Sequence, residues 1–181
     1  ISTSRNGSPF AGTWDYLTVE SSITTDAAAE IVVDDPTSAS IGSSTWNLNS
    51  FVVANDSGSG QSITRVLFDL SSTMMPDMVF DPFATAGDLG GRDFTPGTGS
   101  ADVGILGHTF TGARDGGFDV LEVTFDDFAA GESFAFAVDC DPTSILGVAS
   151  PGPNNSGSVS GLELSGASVT VEFSDGSVLT N

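Results

Sequence analysis

Aspartate outnumbers glutamate 18 to 6 in this chain, and lysine is missing altogether. Glutamate and lysine populate exposed helix faces, whereas aspartate competes with the helical backbone for hydrogen bonds and settles in turns, caps and calcium loops. A chain with this bias has little with which to solvate a helix. The same sequence holds 22 Gly, 8 Pro and 13 Phe, which suit short strands joined by tight turns. The expected class is therefore all-β. A length of 181 residues fits one domain with one core. With 39% hydrophobic residues and a mean hydropathy of +0.12, the chain has enough apolar material to fold despite its acidity.

Charge narrows the partners. The formal net charge is −20 and the sequence pI about 4.1, so the surface repels phosphate backbones and anionic lipid headgroups. Nucleic acid is not an expected partner. The four basic residues are Arg5, Arg65, Arg92 and Arg114, which rules out Schiff-base lysine chemistry and a Walker-type phosphate loop. No apolar run approaches the roughly 20 residues of a bilayer-spanning helix, and a start at Ile1-Ser2-Thr3 reads as a mature or excised segment. The lone Cys140 has no partner within the chain for a disulfide.

Runs of alternating or β-rich residues give the strand candidates. Trp14 to Val19 reads as a strand, and Ala27 to Val33 as a strand or a short helical turn. Thr45 to Ala54 and Ile63 to Leu70 flank the turn formers Asn55 to Gly60, and read as a hairpin. Further strands are expected at Gly104 to Thr111 and Phe118 to Phe125, the latter with Leu121, Val123 and Phe125 on its core face. Glu132 to Asp141 is the most regular alternation, with Phe134, Phe136, Val138 and Cys140 on one side and Ala135, Ala137, Asp139 and Asp141 on the other. Ser168 to Phe173 and Ser177 to Thr180 form a hairpin about Ser174-Asp175-Gly176. Between about seven and ten short strands make a two-layer antiparallel β-sandwich, jelly-roll or immunoglobulin-like, over residues 14–181. Residues 1–13 are expected to be a flexible or strand-donating N-terminal arm. No repeat of about 20 to 50 residues points to a solenoid or propeller.

No residue pattern specifies catalysis. The one histidine, His108, falls inside a strand with no nucleophile motif around it, and neither HExxH nor CxxC occurs. A pair of carboxylates for glycoside hydrolysis is available by chance anywhere among 24 acids, so the chain is not expected to be an enzyme. Calcium is the cofactor its loops point to, because that ion takes six to eight oxygen ligands from carboxylates and carbonyls without strict spacing. Three groups qualify as metal ligands: Asp77, Asp81 and Asp88 in the Pro- and Gly-rich segment Met74 to Gly104; Asp115 and Asp119 about Gly116-Gly117; and the Asp139/Asp141 pair before Pro142. On one strand face, Asp139 and Asp141 repel each other unless a cation, an arginine or a proton intervenes. The bland alternative is that these aspartates cap turns and pair with Arg92 or Arg114. Trp14, Tyr16 and Trp46 are the ligand-binding candidates, flat amphipathic aromatics on which a sugar ring can stack. Burial in a core is the competing fate of such rings.

The segments Ile63 to Leu70, Phe80-Asp81-Pro82 with Ala86-Gly87-Asp88, Asp115 to Ile145 and Ser160 to Gly176 together resemble β-sandwich modules of large secreted bacterial or archaeal surface proteins. Those modules accompany malectin-like and other carbohydrate-binding domains. The resemblance covers roughly residues 45 to 180 and implies an extracellular, non-catalytic β-sandwich; the expected partner is a polysaccharide or glycan, or identical subunits in a fibre. The expected function is adhesion or carbohydrate binding with calcium stabilisation. The alternative is a subunit of an extracellular surface filament, in which identical subunits exchange strands at open sheet edges.

Overall fold

A computed structural model describes the backbone of residues 16–20 and the whole of residues 27–33, 44–58, 60–150 and 157–181. It is a sandwich of two antiparallel sheets packed together. The first sheet is ordered β1 (Tyr16–Glu20), β2 (Ala28–Val33), β3 (Phe51–Asn55), β9 (Ser133–Ala137), β6 (Thr95–Pro96). The second is ordered β10 (Cys140–Pro142), β5 (Met78–Phe80), β8 (Gly117–Phe128), β4 (Ile63–Asp69), β11 (Ser168–Phe173), β12 (Val178–Thr180), with β7 (Ile105–Arg114) also paired to β8. No helix among the described residues is long and apolar enough to cross a membrane. The N-terminal arm expected over residues 1–13 lies outside the described residues.

The alternation read from the sequence becomes burial. Leu121, Val123 and Phe125 of β8 face the core, as do Val169, Val171 and Phe173 of β11. Phenylalanines tie the layers together: Phe51 and Phe136 stack at 4.7 Å, and Phe68 of the opposite sheet meets Phe136 edge-on at 5.6 Å. Offset and edge-to-face pairs of this kind add about 0.5–1.5 kcal/mol each beyond the area they bury. The β11–β12 hairpin forms as expected, in the register Val171↔Leu179.

Three expectations are corrected. Residues 45–50 are turns, and the strand starts only at Phe51. Asn47 N donates to Ser44 O at 2.7 Å and the Ser50 hydroxyl to Thr45 O at 2.7 Å, bonds that bend the chain. β3 and β4 do not form a hairpin; they belong to opposite sheets. The turn formers between them carry the chain across the sandwich, anchored by the buried Asn55 side chain, which donates to Gln61 O and Phe128 O. The run Glu132 to Asp141 is likewise two strands rather than one. It breaks at Val138 and Asp139, whose amides donate to loop carbonyls, Thr45 O and Arg92 O, and it changes sheets there. Elsewhere the ambiguous segment near Ile31 is strand, and Asp115-Gly116 is the two-residue turn joining β7 to β8. Both turn residues have positive φ, 48° and 98°, the backbone that an Asp-Gly hairpin turn supplies.

Candidate metal centre and adjoining cleft

The sheet-switching break between β9 and β10 places Asp139 and Asp141 at one end of the sandwich, and the loop after β5 brings further acids to them. Asp81 organises that loop. Its Oδ1 accepts from Thr85 N at 2.8 Å, and its Oδ2 from Ala86 N at 3.0 Å and Gly87 N at 2.8 Å. With both oxygens occupied, Asp81 closes the turn Pro82 to Asp88. Gly87 then passes directly over Asp141, where a Cβ would run into the Asp141 side chain. This approach lets Asp88 N donate to Asp141 Oδ2 at 2.9 Å.

The outcome is a buried group of three, Asp88, Asp139 and Asp141, with one carboxylate oxygen from each lying within 4.8 Å of the others. They are 4%, 3% and 0% exposed. Asp88 Oδ1 is tied to Gly90 N at 2.5 Å, but Asp139 Oδ2 and Asp141 Oδ1 are buried with no hydrogen-bond partner. A buried carboxylate oxygen left without a donor loses several kcal/mol of hydration with nothing in return. Burial first, then the charges of Asp141, Asp88 and Asp81, push the Asp139 carboxyl up to about 8. Burial and the charges of Asp88 and Asp81 push Asp141 up to about 7, against the opposing pull of the Asp88 amide. With these shifts the group keeps protons on Asp139 and Asp141 up to about neutral pH, and above that it needs a cation as counter-charge.

No arginine supplies that charge among the described residues. Arg114 Nε donates to Asp119 at 2.7 Å, and Arg65 pairs with Glu122 and Glu172 at 2.6 Å each. Arg92 lies close by in the chain but turns its guanidinium onto the Trp46 ring, 4.8 Å from the centroid. The donor set suits a hard cation. Oxygens on opposite sides of a calcium ion at about 2.3–2.6 Å are about 4.6–5.2 Å apart, a span that accommodates the three carboxylates.

The sequence-derived candidates divide accordingly. Asp88, Asp139 and Asp141 come together, from two of the three proposed groups. Asp81 abuts them as the loop organiser. Asp77 accepts from Ser144 N at 3.2 Å and holds the loop after β10. Asp115 sits exposed in the β7–β8 turn and Asp119 is paired with Arg114, so this group takes the turn-and-arginine role. Trp14 and the Tyr16 side chain lie outside the described residues. Trp46 is placed on the turn before β3, half-buried, at a cleft of about 350 Å³ that Ser44, Asn47, Ser158, Asp88 and Asp139 also line. Gly157 completes that wall at φ 95°, where a Cβ would meet Asp88 Oδ2. Ser44, Asn47, Gly157 and Ser158 carry no sequence signal for a site. Gly87 does, since it directly precedes Asp88 in a loop dense in aspartate.

No family model, curated protein or solved structure matches the chain. Fold and site together define its class, an acidic all-β sandwich with a buried three-aspartate centre at the foot of a polar cleft.

Proposed function

We propose that the chain is a calcium-stabilised, non-catalytic β-sandwich module of a secreted or cell-surface protein, serving adhesion or carbohydrate recognition. The observation that carries this reading is the pair of buried, partnerless oxygens, Asp139 Oδ2 and Asp141 Oδ1, inside a group of three carboxylates. A bound divalent cation neutralises them and pins the β5–β6 loop to the β9–β10 crossing, so ion binding is also fold stabilisation. Extracellular fluid holds the calcium that loops of this kind require. A hydrolytic role fits less well. Glycosidase carboxyls must reach the scissile bond, whereas Asp88, Asp139 and Asp141 are all buried and Asp141 is 0% exposed. His108 is engaged by Asp93 at 2.9 Å and lies tilted against Phe94, and the fully buried Cys140 has its thiol pushed up by burial. The test is thermal melting in calcium and in EDTA. A melting temperature lowered by chelation and restored by added calcium supports the reading, and superimposable curves overturn it.

One feature favours the second reading, a self-assembling filament subunit. β8 is the only strand partner of β7 among the described residues, and between the bulge at Ile105/Gly107 and the terminal Arg114, β7 contains no acid, lysine or proline. Such residues are the usual guards of an open edge. Filaments in electron micrographs of the native material, abolished by Thr109→Pro in β7, would select this reading.

A further inference from the structure

We infer that the calcium centre is itself the anchor of the ligand site: the ion presents its open coordination positions to the cleft and takes two vicinal hydroxyls of a neutral sugar ring, which packs against Trp46. This rests on the calcium reading given above. Asp88 and Asp139 belong both to the three-aspartate group and to the cleft wall, whereas Asp141 is fully buried behind them. A cation held by all three therefore has one side toward protein and one toward the cleft. Asp88 Oδ1 is committed to Gly90 N and Asp141 Oδ2 to Asp88 N. Without breaking those bonds the three side chains offer about four oxygens, and calcium takes six to eight. Two or more positions are left for oxygens arriving from the cleft, and adjacent hydroxyls on one ring fill two neighbouring positions at once.

The walls fit the same ligand. Arg92 takes one face of the Trp46 ring, 4.8 Å from its centroid, and Trp46 lines the cleft, so the sugar's C–H face falls to the rest of the indole. Asn47 and Ser158 add a neutral amide and hydroxyl to the lining, suited to the remaining hydroxyls, while the Ser44 hydroxyl oxygen accepts from Trp46 N at 3.2 Å. A cleft of about 350 Å³ is at the small end of ligand sites, enough for one ring with its substituents. The overall charge of −20 disfavours an anionic sugar.

Saturation-transfer NMR tests this on the whole chain with methyl α-mannoside, methyl α-fucoside, methyl β-galactoside and methyl β-glucoside, which between them present cis and trans vicinal pairs. Calcium affinity is measured in parallel by titration calorimetry. The expected result is saturation of at least one glycoside in calcium, its loss in EDTA, and binding weakened tenfold or more in Trp46→Ala. Trp46→Phe retains most of the binding, and both variants keep the native calcium affinity within about threefold. Calcium binding with no glycoside saturated overturns the inference and leaves the metal reading standing. Sugar binding that survives EDTA, or is indifferent to Trp46→Ala, also overturns it. Absence of calcium binding overturns both.

Discussion

In the absence of calcium the stability of this protein should fall steeply as the pH rises, and on the calcium reading added calcium should suppress that fall. A carboxyl whose pKa is higher folded than unfolded holds its proton better in the fold, so its contribution is fully present below the unfolded value and lost as pH climbs to the folded one. For Asp139 that window runs from 3.8 to about 8, and for Asp141 from 3.8 to about 7. At about 1.4 kcal/mol per pKa unit, the Asp139 shift alone, from 3.8 to about 8, corresponds to ~6 kcal/mol. The two shifts share one repulsion and do not simply add. Against a total of about 5–15 kcal/mol for an ordinary domain, this loss is large, and at about 2–4 °C per kcal/mol it lowers the melting temperature by roughly 12–24 °C over the whole window, the larger part of it between pH 5 and pH 8. Asp77, held low by its hydrogen bonds to Ser144, works in the opposite direction, but only below its ordinary 3.8. Melts between pH 5 and pH 8 therefore isolate the buried pair. In EDTA the melting temperature should drop across that range; in millimolar calcium, which takes the place of the protons, the drop should shrink to a few degrees. Parallel curves in the two buffers would refute the assignment of the pH dependence to these aspartates.

Other outcomes follow from the same contacts. Asp139→Asn removes a buried charge without changing shape, so in EDTA at pH 8 it should melt several degrees above the native protein while losing the calcium increment. At pH 6 calcium binding should displace about two protons, from Asp139 at about 8 and Asp141 at about 7, read by calorimetry in buffers of differing ionisation enthalpy; at pH 9 the number should approach zero. Gly87→Ala drives a methyl into Asp141 and should cost about 1–3 kcal/mol in urea unfolding, together with calcium affinity. Phe136→Ala empties the centre of the aromatic cluster, where Phe51, Phe68, Phe94 and Phe134 all meet it. It should cost about 3–5 kcal/mol and leave calcium binding intact wherever the variant is folded.

Local periodicity made the strands readable, and long-range closure decided the rest. The faces of β8 and β11 follow from alternation alone, because one side of each strand meets water. The Glu132 to Asp141 run misled for the same reason: an unbroken period of two carries no mark of the point where the chain leaves one sheet for the other. That point is set by Thr45 O and Arg92 O, which capture the amides of Val138 and Asp139 from segments far away in sequence. The hairpin expected between β3 and β4 failed similarly, since turn formers permit a reversal without dictating which sheet receives the next strand. At the centre, the Asp139/Asp141 repulsion was visible in the sequence. Asp88 as their companion depended on Asp81 folding its own loop, and Asp119 could not be assigned to Arg114 until the β7–β8 turn was in place. Trp46 was singled out for its chemistry, but its place beside Asp88 and Asp139 is a property of the fold.

Calorimetric titration of the intact chain with calcium at pH 7.5, repeated on Asp141→Asn, is the most direct measurement of whether a cation belongs among these carboxylates. The account predicts that the native protein binds and that the variant binds one ion fewer while remaining folded. Equal binding by the two proteins, or none by either, would contradict it.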